Sequence, residues 1–199
     1  NYKDGLKNLG SGAFSHTQLT TVSLPNSLVL IGQHVFDGCQ LETVSMPSCV
    51  KLDTNCTNIF ANNGSNMIIT IRFAEDTALC NYLLYMSGAK QIILEEGIKS
   101  IGSYTFANNV FTEIELPVSL TSIGSYAFYL CENLEELYVP TNVTSIGTYA
   151  FAKDFVLTDI YMPDSLKSIG SYALWKVEDE EVHELLTLHV YYSKGTITE

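Results

Sequence analysis

The sequence has few basic residues, few prolines and no long uninterrupted apolar run. Only 10 lysines and arginines stand against 22 acidic residues, so the formal net charge of the 199-residue chain is −12 at pH 7. Such a chain has little with which to neutralise phosphates, which argues against nucleic-acid binding. No segment approaches the roughly 18 apolar residues of a membrane-spanning helix. Hydrophobic residues nevertheless make up 46% of the chain, which is enough to bury a sizeable core.

Motifs for catalysis and for metal binding are also missing. The four histidines are scattered, and no serine lies in the Gly-x-Ser-x-Gly pattern of a nucleophile elbow. The stretch "HELLTLH" lacks the spacing of a zinc-protease helix, and no Cys-x-x-Cys pair or Cys/His cluster has the spacing of a zinc site. We therefore expect no catalytic residue, no cofactor and no metal. An enzyme is the least favoured function.

One short phrase recurs along most of the chain at nearly constant intervals. Its copies resemble "IGSYAF" and begin at Leu9, Ile31, Ile101, Ile123, Ile146 and Ile169. Neighbouring copies are 22 or 23 residues apart, and the 70 residues from Ile31 to Ile101 leave room for about three repeats. A period of about 20–29 residues with regularly placed aliphatic residues is typical of a leucine-rich-repeat solenoid.

A second phrase runs in step with the first and predicts a β-strand in each repeat. It occurs as "LTTVSLP", "LETVSMP", "FTEIELP", "LEELYVP" and "LTDIYMP", in which apolar residues alternate at the end, as in a strand with one buried face. Each of the 5 prolines closes one copy, because a residue without an N–H group suits the point where a strand stops. We expect eight strands, centred near Val22, Val44, Ile71, Ile92, Ile114, Leu137, Ile160 and Leu188.

Each repeat has two apolar sides that it cannot bury alone, and stacking the repeats buries both. The sequence therefore predicts a single curved, right-handed leucine-rich-repeat solenoid with parallel strands on its concave side and mostly irregular or short helical returns. The repeats are irregular from about 48 to 89, where "DTALCNYLLYMSG" predicts one longer helix near 77–87. The last repeat, about 175–199, is extended by a loop. We expect residues 1–199 to form one domain excerpted from a longer protein.

The 5 cysteines do not form a disulfide framework. Cys39 and Cys131 occupy equivalent positions about four repeats apart, which places them about 19 Å apart at the spacing of parallel strands. That distance is far beyond disulfide reach, so we expect both to be small buried side chains. Cys49 and Cys56 lie close together in an irregular repeat, and whether they pair stays open. Cys80 occupies a core position.

The outward face of the strands, predicted to be concave and called the strand face below, is the candidate binding surface. Its central column is predicted as Ser23, Ser45, Arg72, Ile93, Glu115, Tyr138, Tyr161 and His189. A flanking column is predicted as Thr21, Thr43, Thr70, Gln91, Glu113, Glu136, Asp159 and Thr187. The first half is small and neutral, whereas the second half is acidic and aromatic.

We expect a protein partner to contact the second half of the strand face. Its predicted centre is Tyr138, Tyr161 and His189, since tyrosines held on a rigid sheet are common interface anchors. The flanking carboxylates would favour a partner of basic character, mainly through the encounter rate; they are Glu113, Glu115, Glu136 and Asp159. The alternative is that these side chains merely cover a soluble sheet.

The repeat unit, as in "LPVSLTSIGSYAFYLCENLEEL", resembles the BspA-like leucine-rich-repeat family. The resemblance covers nearly the whole chain and weakens between 48 and 89. It implies a non-enzymatic protein-interaction module at the cell surface or outside the cell of a host-associated microbe. The partner would be a host extracellular-matrix protein or another surface protein, and the role would be adhesion. The family supplies no binding residues to carry over. The alternative is a structural spacer within a larger surface protein whose recognition site lies elsewhere.

Overall fold

The chain winds into a solenoid in which all the strand pairings are parallel. A computed structural model describes residues 5–48, 50–52, 57–64, 66–74, 78–176 and 189–192. Each turn of the solenoid, here called a coil, contributes to two ladders of strands. The leucine-rich-repeat fold predicted from the sequence is confirmed.

The first ladder is the main sheet, and it is built from the proline-ended phrases. It has a four-stranded part and a three-stranded part. The first part contains β2 (Thr21–Ser23), β4 (Thr43–Pro47), β6 (Ile68–Arg72) and β8 (Gln91–Leu94). The second part contains β11 (Glu136–Tyr138), β13 (Asp159–Met162) and β15 (His189–Tyr192).

The second ladder lies at the Ser-Ile-Gly corner, where the sequence predicted irregular or short helical returns. Its strands have two residues each: β1 (Asn8–Leu9), β3 (Leu30–Ile31), β5 (Lys51–Leu52), β7 (Ala78–Leu79), β9 (Ser100–Ile101), β10 (Ser122–Ile123), β12 (Ser145–Ile146) and β14 (Ser168–Ile169). This corner ladder explains the glycine that follows the isoleucine. A Cβ atom on Gly147 would lie 2.4 Å from the backbone nitrogen of Ser125 in the preceding coil.

The core consists of like residues stacked on like residues. Phe36 stacks between Phe14 and Phe60 with ring centroids 5.5 and 5.6 Å away. Phe128 likewise lies 5.3 Å from Phe151. The buried hydrophobic residues form one cluster that runs from Leu9 to Ala173. Each fully buried phenylalanine contributes roughly 2 kcal/mol by leaving water. Each copy of the phrase adds such a buried residue, so the repetition itself stabilises the fold.

The helix predicted near 77–87 is wrong. Ala78–Leu79 forms β7 in the corner ladder, and Tyr82 and Met86 take left-handed φ angles of 61° and 53°. The segment is a divergent copy of the repeat, because "ALCNYLLYM" aligns with "SIGSYTFAN" once Cys80 is placed at the glycine position. No helix occurs within the residues that the structure describes.

Cys80 also marks a break in the corner ladder. The ladder is continuous from β7 to β14 and from β1 to β5, and between β5 and β7 no pairing occurs within the described residues. The thiol of Cys80 donates instead to the carbonyl oxygen of Val50 at 3.2 Å. A side chain therefore stands where glycine elsewhere lets two coils approach closely.

The return side carries a second stack of tyrosines. Neighbouring rings lie 4.7, 4.5, 5.0 and 5.1 Å apart. We call this the return stack: Tyr82, Tyr104, Tyr126, Tyr149 and Tyr172. Each of the five has a left-handed φ near 60°, a conformation that is costly for a bulky residue. Stacking of the rings offsets part of that cost.

The main sheet is interrupted at the strand predicted around Ile114. Ile114 is buried, yet residues 112–116 make no backbone hydrogen bond to either neighbouring coil. The described main sheet therefore has seven strands, and the prediction of eight is wrong at this position. The last strand is centred near Val190, while the predicted centre, Leu188, lies outside the described residues.

The interruption borders a longer repeat on its β11 side. Ile101 and Ile123 are separated by 22 residues, whereas Ile123 and Ile146 are separated by 23. The corner ladder stays in register through this change. The extra residue is therefore accommodated after Ile123, between the corner and β11. It does not explain the lost pairing with β8, because Ile92 and Ile114 are 22 residues apart, the same spacing as the paired Val22 and Val44.

Two cysteines are buried as predicted, and neither forms a disulfide. Cys39 and Cys131 are reduced thiols inside the core. Their sulfur atoms donate to the carbonyl oxygens of Phe14 and Phe106 in the preceding coils at 3.1 and 3.2 Å. The proposed pairing of Cys49 with Cys56 lies outside the described residues.

The cysteines belong to a buried polar column that holds the return turns together. In two coils an asparagine occupies this column, and the amide of Asn109 donates to carbonyl oxygens of two coils, those of Leu84 and Phe106, at 2.8 and 2.9 Å. Asp154 occupies the column next to Cys131, whose backbone N–H donates to its Oδ1 at 2.6 Å. Its Oδ2 is buried without a partner. Burial therefore raises the pKa of Asp154 well above its usual range, against the opposing effects of the Cys131 N–H and of Lys176.

Asp154→Asn should stabilise the protein by about 1–2 kcal/mol at neutral pH, since an amide can donate where a carboxylate cannot. The pKa of Asp154 is higher in the folded chain than in the unfolded chain. The favourable contribution of Asp154 to stability is therefore complete at pH values below its pKa in the unfolded chain. It is lost as the pH rises through its pKa in the folded chain. The gain from asparagine should be small near pH 4 and larger near pH 7. Urea unfolding at several pH values measures it.

Glu132→Gln is the matched control, because it removes an exposed carboxylate one coil away. It should change the free energy of unfolding by less than about 0.5 kcal/mol. A gain from Asp154→Asn that is the same at every pH would contradict the assignment of a buried, charge-sensitive carboxyl.

Candidate functional site

Three tyrosines form one exposed strip on the second part of the main sheet. Parallel pairing places Tyr138 opposite Tyr161 and Tyr161 opposite Tyr191. The ring centroids lie 4.2 and 4.6 Å apart, with interplanar angles of 5° and 13°. We call these three residues the tyrosine strip. Tyr138 is 60% exposed, so the strip presents a broad aromatic surface to solvent.

His189 does not lie in the tyrosine strip, and its predicted place in the central column is wrong. It pairs with Asp159 in the flanking column, and Tyr191 takes the central position. The prediction had the correct face of the strand but a register wrong by two residues. The signal was present, since "ELYV", "DIYM" and "HVYY" align with a tyrosine at the same place.

Carboxylates of the flanking column hold the hydroxyl groups of the strip. The Tyr138 hydroxyl donates to Glu136 Oε1 at 2.7 Å, and the Tyr191 hydroxyl donates to Asp159 Oδ1 at 3.1 Å. The His189 ring nitrogen Nδ1 lies 3.3 Å from the same Asp159 oxygen. These contacts restrict the rings before any partner arrives, which lowers the entropy lost on binding.

The hydrogen bonds also shift the pKa values of the groups that make them. The bond to Glu136, and then the neighbouring Tyr161, raise the pKa of Tyr138 far above its usual range. Bonds from Thr158, and then from Tyr191 and His189, lower the pKa of Asp159. The surface therefore combines neutral phenols with an ionised carboxylate throughout the neutral pH range.

The predicted site residues fall into two groups. The structure brings Tyr138, Tyr161, Glu136, Asp159 and His189 together on β11, β13 and β15. The remaining two, Glu113 and Glu115, are exposed but lie in the unpaired segment 112–116. They lie on the coil that precedes β11, which belongs to neither part of the main sheet.

The first part of the main sheet also departs from the predicted columns. Ser45 pairs with Thr70, which pairs with Ile93, so Thr70 is in the central column and Arg72 is not. Arg72 pairs with Pro47 and donates a hydrogen bond to the carbonyl oxygen of Leu24, two coils away. The phrase "MIITIRF" lacks the closing proline, and without that marker the register was misplaced by two residues.

A sequence-family model matches the chain over residues 1–80 and 77–182, with 6 copies of its repeat; it describes the BspA type leucine rich repeat region. The chain belongs to the BspA-type leucine-rich-repeat family. No curated protein matches its sequence.

One solved structure shares the fold of this BspA-type chain, and others are similar to it in part. A leucine-rich repeat protein from Bacteroides ovatus is 20% identical with a TM-score of 0.56, and the match covers 96% of this chain and 47% of that protein. The pneumococcal vaccine antigen PcpA is 19% identical with a TM-score of 0.48, over 98% of this chain and 62% of that one. The leucine-rich repeat protein of T. pallidum is 19% identical with a TM-score of 0.48, over 83% and 73%. The chain thus spans about half the length of the Bacteroides protein.

Repeat solenoids of the BspA type and its relatives present extended surfaces for binding other proteins and do not typically catalyse reactions. Among the described residues, no three histidine, cysteine or acidic side chains converge as a metal site. The described part of the chain also has no helix that is long and apolar enough to cross a membrane.

Proposed function

We propose that the chain is a protein-binding module of a cell-surface or secreted protein and that it acts in adhesion to a host or matrix protein. Residues 1–199 would act as one repeat domain. The tyrosine strip carries this proposal, since its three rings, one exposed and two half-buried, are stacked on a rigid parallel sheet and two of its hydroxyls are held by carboxylates. The resemblance to surface proteins of host-associated microbes supports the location.

The chemistry of the strip favours a partner with lysines and arginines. Within the described residues Tyr138 stacks with Tyr161 alone, so the opposite face of its ring is open to a cation–π contact. Glu136 and Asp159 keep negative charge beside the rings. Charge of one sign around an aromatic anchor speeds the encounter with an oppositely charged protein and orients it.

Binding of the purified fragment to a panel of purified extracellular-matrix proteins tests the proposal. We expect saturable binding to a basic member of the panel. The association rate should fall steeply as the salt concentration rises from about 0.05 to 0.5 M, because screening shortens the reach of surface charges. Surface plasmon resonance measures both quantities.

The competing function is a structural spacer. It predicts that the fragment binds nothing in the panel while the full-length protein does bind. That result would contradict a binding role for the strand face. Binding that is insensitive to salt would contradict the proposed basic partner but would leave a protein-binding role in place.

A further inference from the structure

The main sheet opens into a cleft on the strand face between β8 and the unpaired segment 112–116. The cleft has a volume of about 100 Å³ and is lined by Gln91–Leu94 on one wall and by residues 113–115 on the other. β8 is paired with β6 only. Both walls of the cleft are therefore strand edges that lack the partner which the repeat provides elsewhere.

The two open edges supply backbone groups that can bind a ligand. No residue of 112–116 makes a backbone hydrogen bond, although each carries a carbonyl oxygen and an N–H group. Unpaired strand edges readily accept bonds from another molecule. A donor placed in the cleft would find carbonyl oxygens that are not occupied by the neighbouring coil.

The side chains of the cleft combine an apolar wall with two unoccupied carboxylates. Ile93 is 43% exposed, which is unusual for a large aliphatic residue in a column otherwise occupied by polar residues and tyrosines. Glu113 and Glu115 are exposed and make neither a hydrogen bond nor an ion pair with any described residue.

Several other carboxylates near the strand face have partners. Glu95 accepts the backbone N–H of Phe73 at 2.9 Å, and Glu96 accepts that of Val118 at 2.8 Å. Glu136 and Asp159 hold the tyrosine hydroxyls described above.

We propose that this cleft receives a lysine or arginine side chain of the protein partner. The alkyl stem would lie along Ile93, as long basic side chains do on apolar surfaces. The charged head would donate to Glu113, Glu115 and the open carbonyl oxygens, since charge-assisted hydrogen bonds are the stronger kind. The volume is well below the roughly 300 Å³ at which pockets for small molecules begin, and a single side chain suits it. The inference rests on the proposed function because it takes the occupant to be part of a protein.

Three short peptides and an NMR titration test the cleft without the unidentified partner. The probes are acetyl-Gly-Lys-Gly-amide, its arginine counterpart, and its norleucine counterpart, which keeps the stem of lysine but has no charge. We expect saturable shifts of the Ile93 and Ile114 methyl signals with at least one of the basic peptides. The norleucine peptide should bind at least about 10-fold more weakly than that basic peptide. Glu113→Gln together with Glu115→Gln should weaken binding of the basic peptide by a similar factor, since the substitutions keep the shape of the side chains and remove their charge.

Variants of the tyrosine strip separate this inference from the proposed function. Tyr138→Ala with Tyr161→Ala should leave peptide binding in the cleft unchanged. If a protein partner binds the fragment but the glutamine variant binds it equally well, the cleft assignment is overturned and the proposed function stands. If the peptide titration succeeds while no partner is found, the cleft stands and the adhesive role does not. Equal binding of the norleucine peptide, no saturable shift, or displacement of the basic peptides by millimolar calcium would overturn the cleft assignment.

Discussion

Replacing Tyr138 and Tyr161 together by alanine should weaken the binding of a protein partner by about 30-fold or more, or at least about 2 kcal/mol. The two rings are the outer and central members of the strip, with centroids 4.2 Å apart. Removing both deletes the aromatic anchor and leaves Glu136 without the hydroxyl that orients it. Titration calorimetry or surface plasmon resonance of wild type and variant gives the ratio of the two dissociation constants.

The fold should survive this double substitution. The inward-facing residues of the same strands, Leu137 and Ile160, are fully buried and do not depend on the tyrosines. The cost to stability should be limited to the lost ring contacts, about 1 kcal/mol. Ser23→Ala with Ser45→Ala is the matched control, because these serines occupy the same column at the other end of the sheet. If the serine variant loses binding while the tyrosine variant keeps it, the partner binds at the other end of the solenoid and the proposed site is wrong.

Gly147→Ala should lower the free energy of unfolding by about 2–3 kcal/mol, in the range of an overpacked interior. The new Cβ would lie 2.4 Å from the Ser125 nitrogen and 2.6 Å from the Gly124 carbonyl carbon. Both are backbone atoms, so neither can rotate away. The two coils would have to separate and lose pairing between β10 and β12. The melting temperature should fall by about 5–10 °C, which calorimetry measures.

Gly10→Ala provides a control at the same position of the repeated phrase. A Cβ at Gly10 meets no atom within 4 Å, and the residue has no left-handed φ. Its substitution should change stability by less than about 0.5 kcal/mol. Equal effects at Gly10 and Gly147 would show that the cost comes from glycine flexibility and not from the close approach of the coils.

The sequence predicted the solenoid well because its packing repeats. Each coil packs against a similar coil. A constant spacing of aliphatic and aromatic residues therefore specifies both partners of every contact between coils. The helix predicted near 77–87 was wrong because this repeat lacks the residue that marks the phrase. Cys80 replaces the glycine that marks the phrase, and without that marker the local pattern of apolar residues resembles one face of a helix.

The interruption at 112–116 could not be read from its own residues. "FTEIELP" is as regular as the phrases that form strands. The spacing does not mark the break either, because Ile92 and Ile114 are 22 residues apart, as are the paired Val22 and Val44. The cleft is a product of lost pairing and is therefore invisible in any single repeat.

The candidate site was predicted in part. Tyr138 and Tyr161 lie in one column as expected, whereas Tyr191 was missed because the last strand was centred two residues too early. The return stack was also overlooked as a surface. The protein thus has two rows of stacked tyrosines, one on the strand face and one on the return side, and sequence alone does not distinguish which of them meets a partner.

Hydroxyl-radical footprinting of the fragment with and without its bound partner distinguishes the two rows directly. Mass spectrometry reports the oxidation rate of each tyrosine. The partner should protect Tyr138, Tyr161 and Tyr191 several-fold, while Tyr104, Tyr126 and Tyr149 in the return stack should oxidise at unchanged rates. Protection of the return stack with unchanged oxidation of the strip would contradict binding through the strand face.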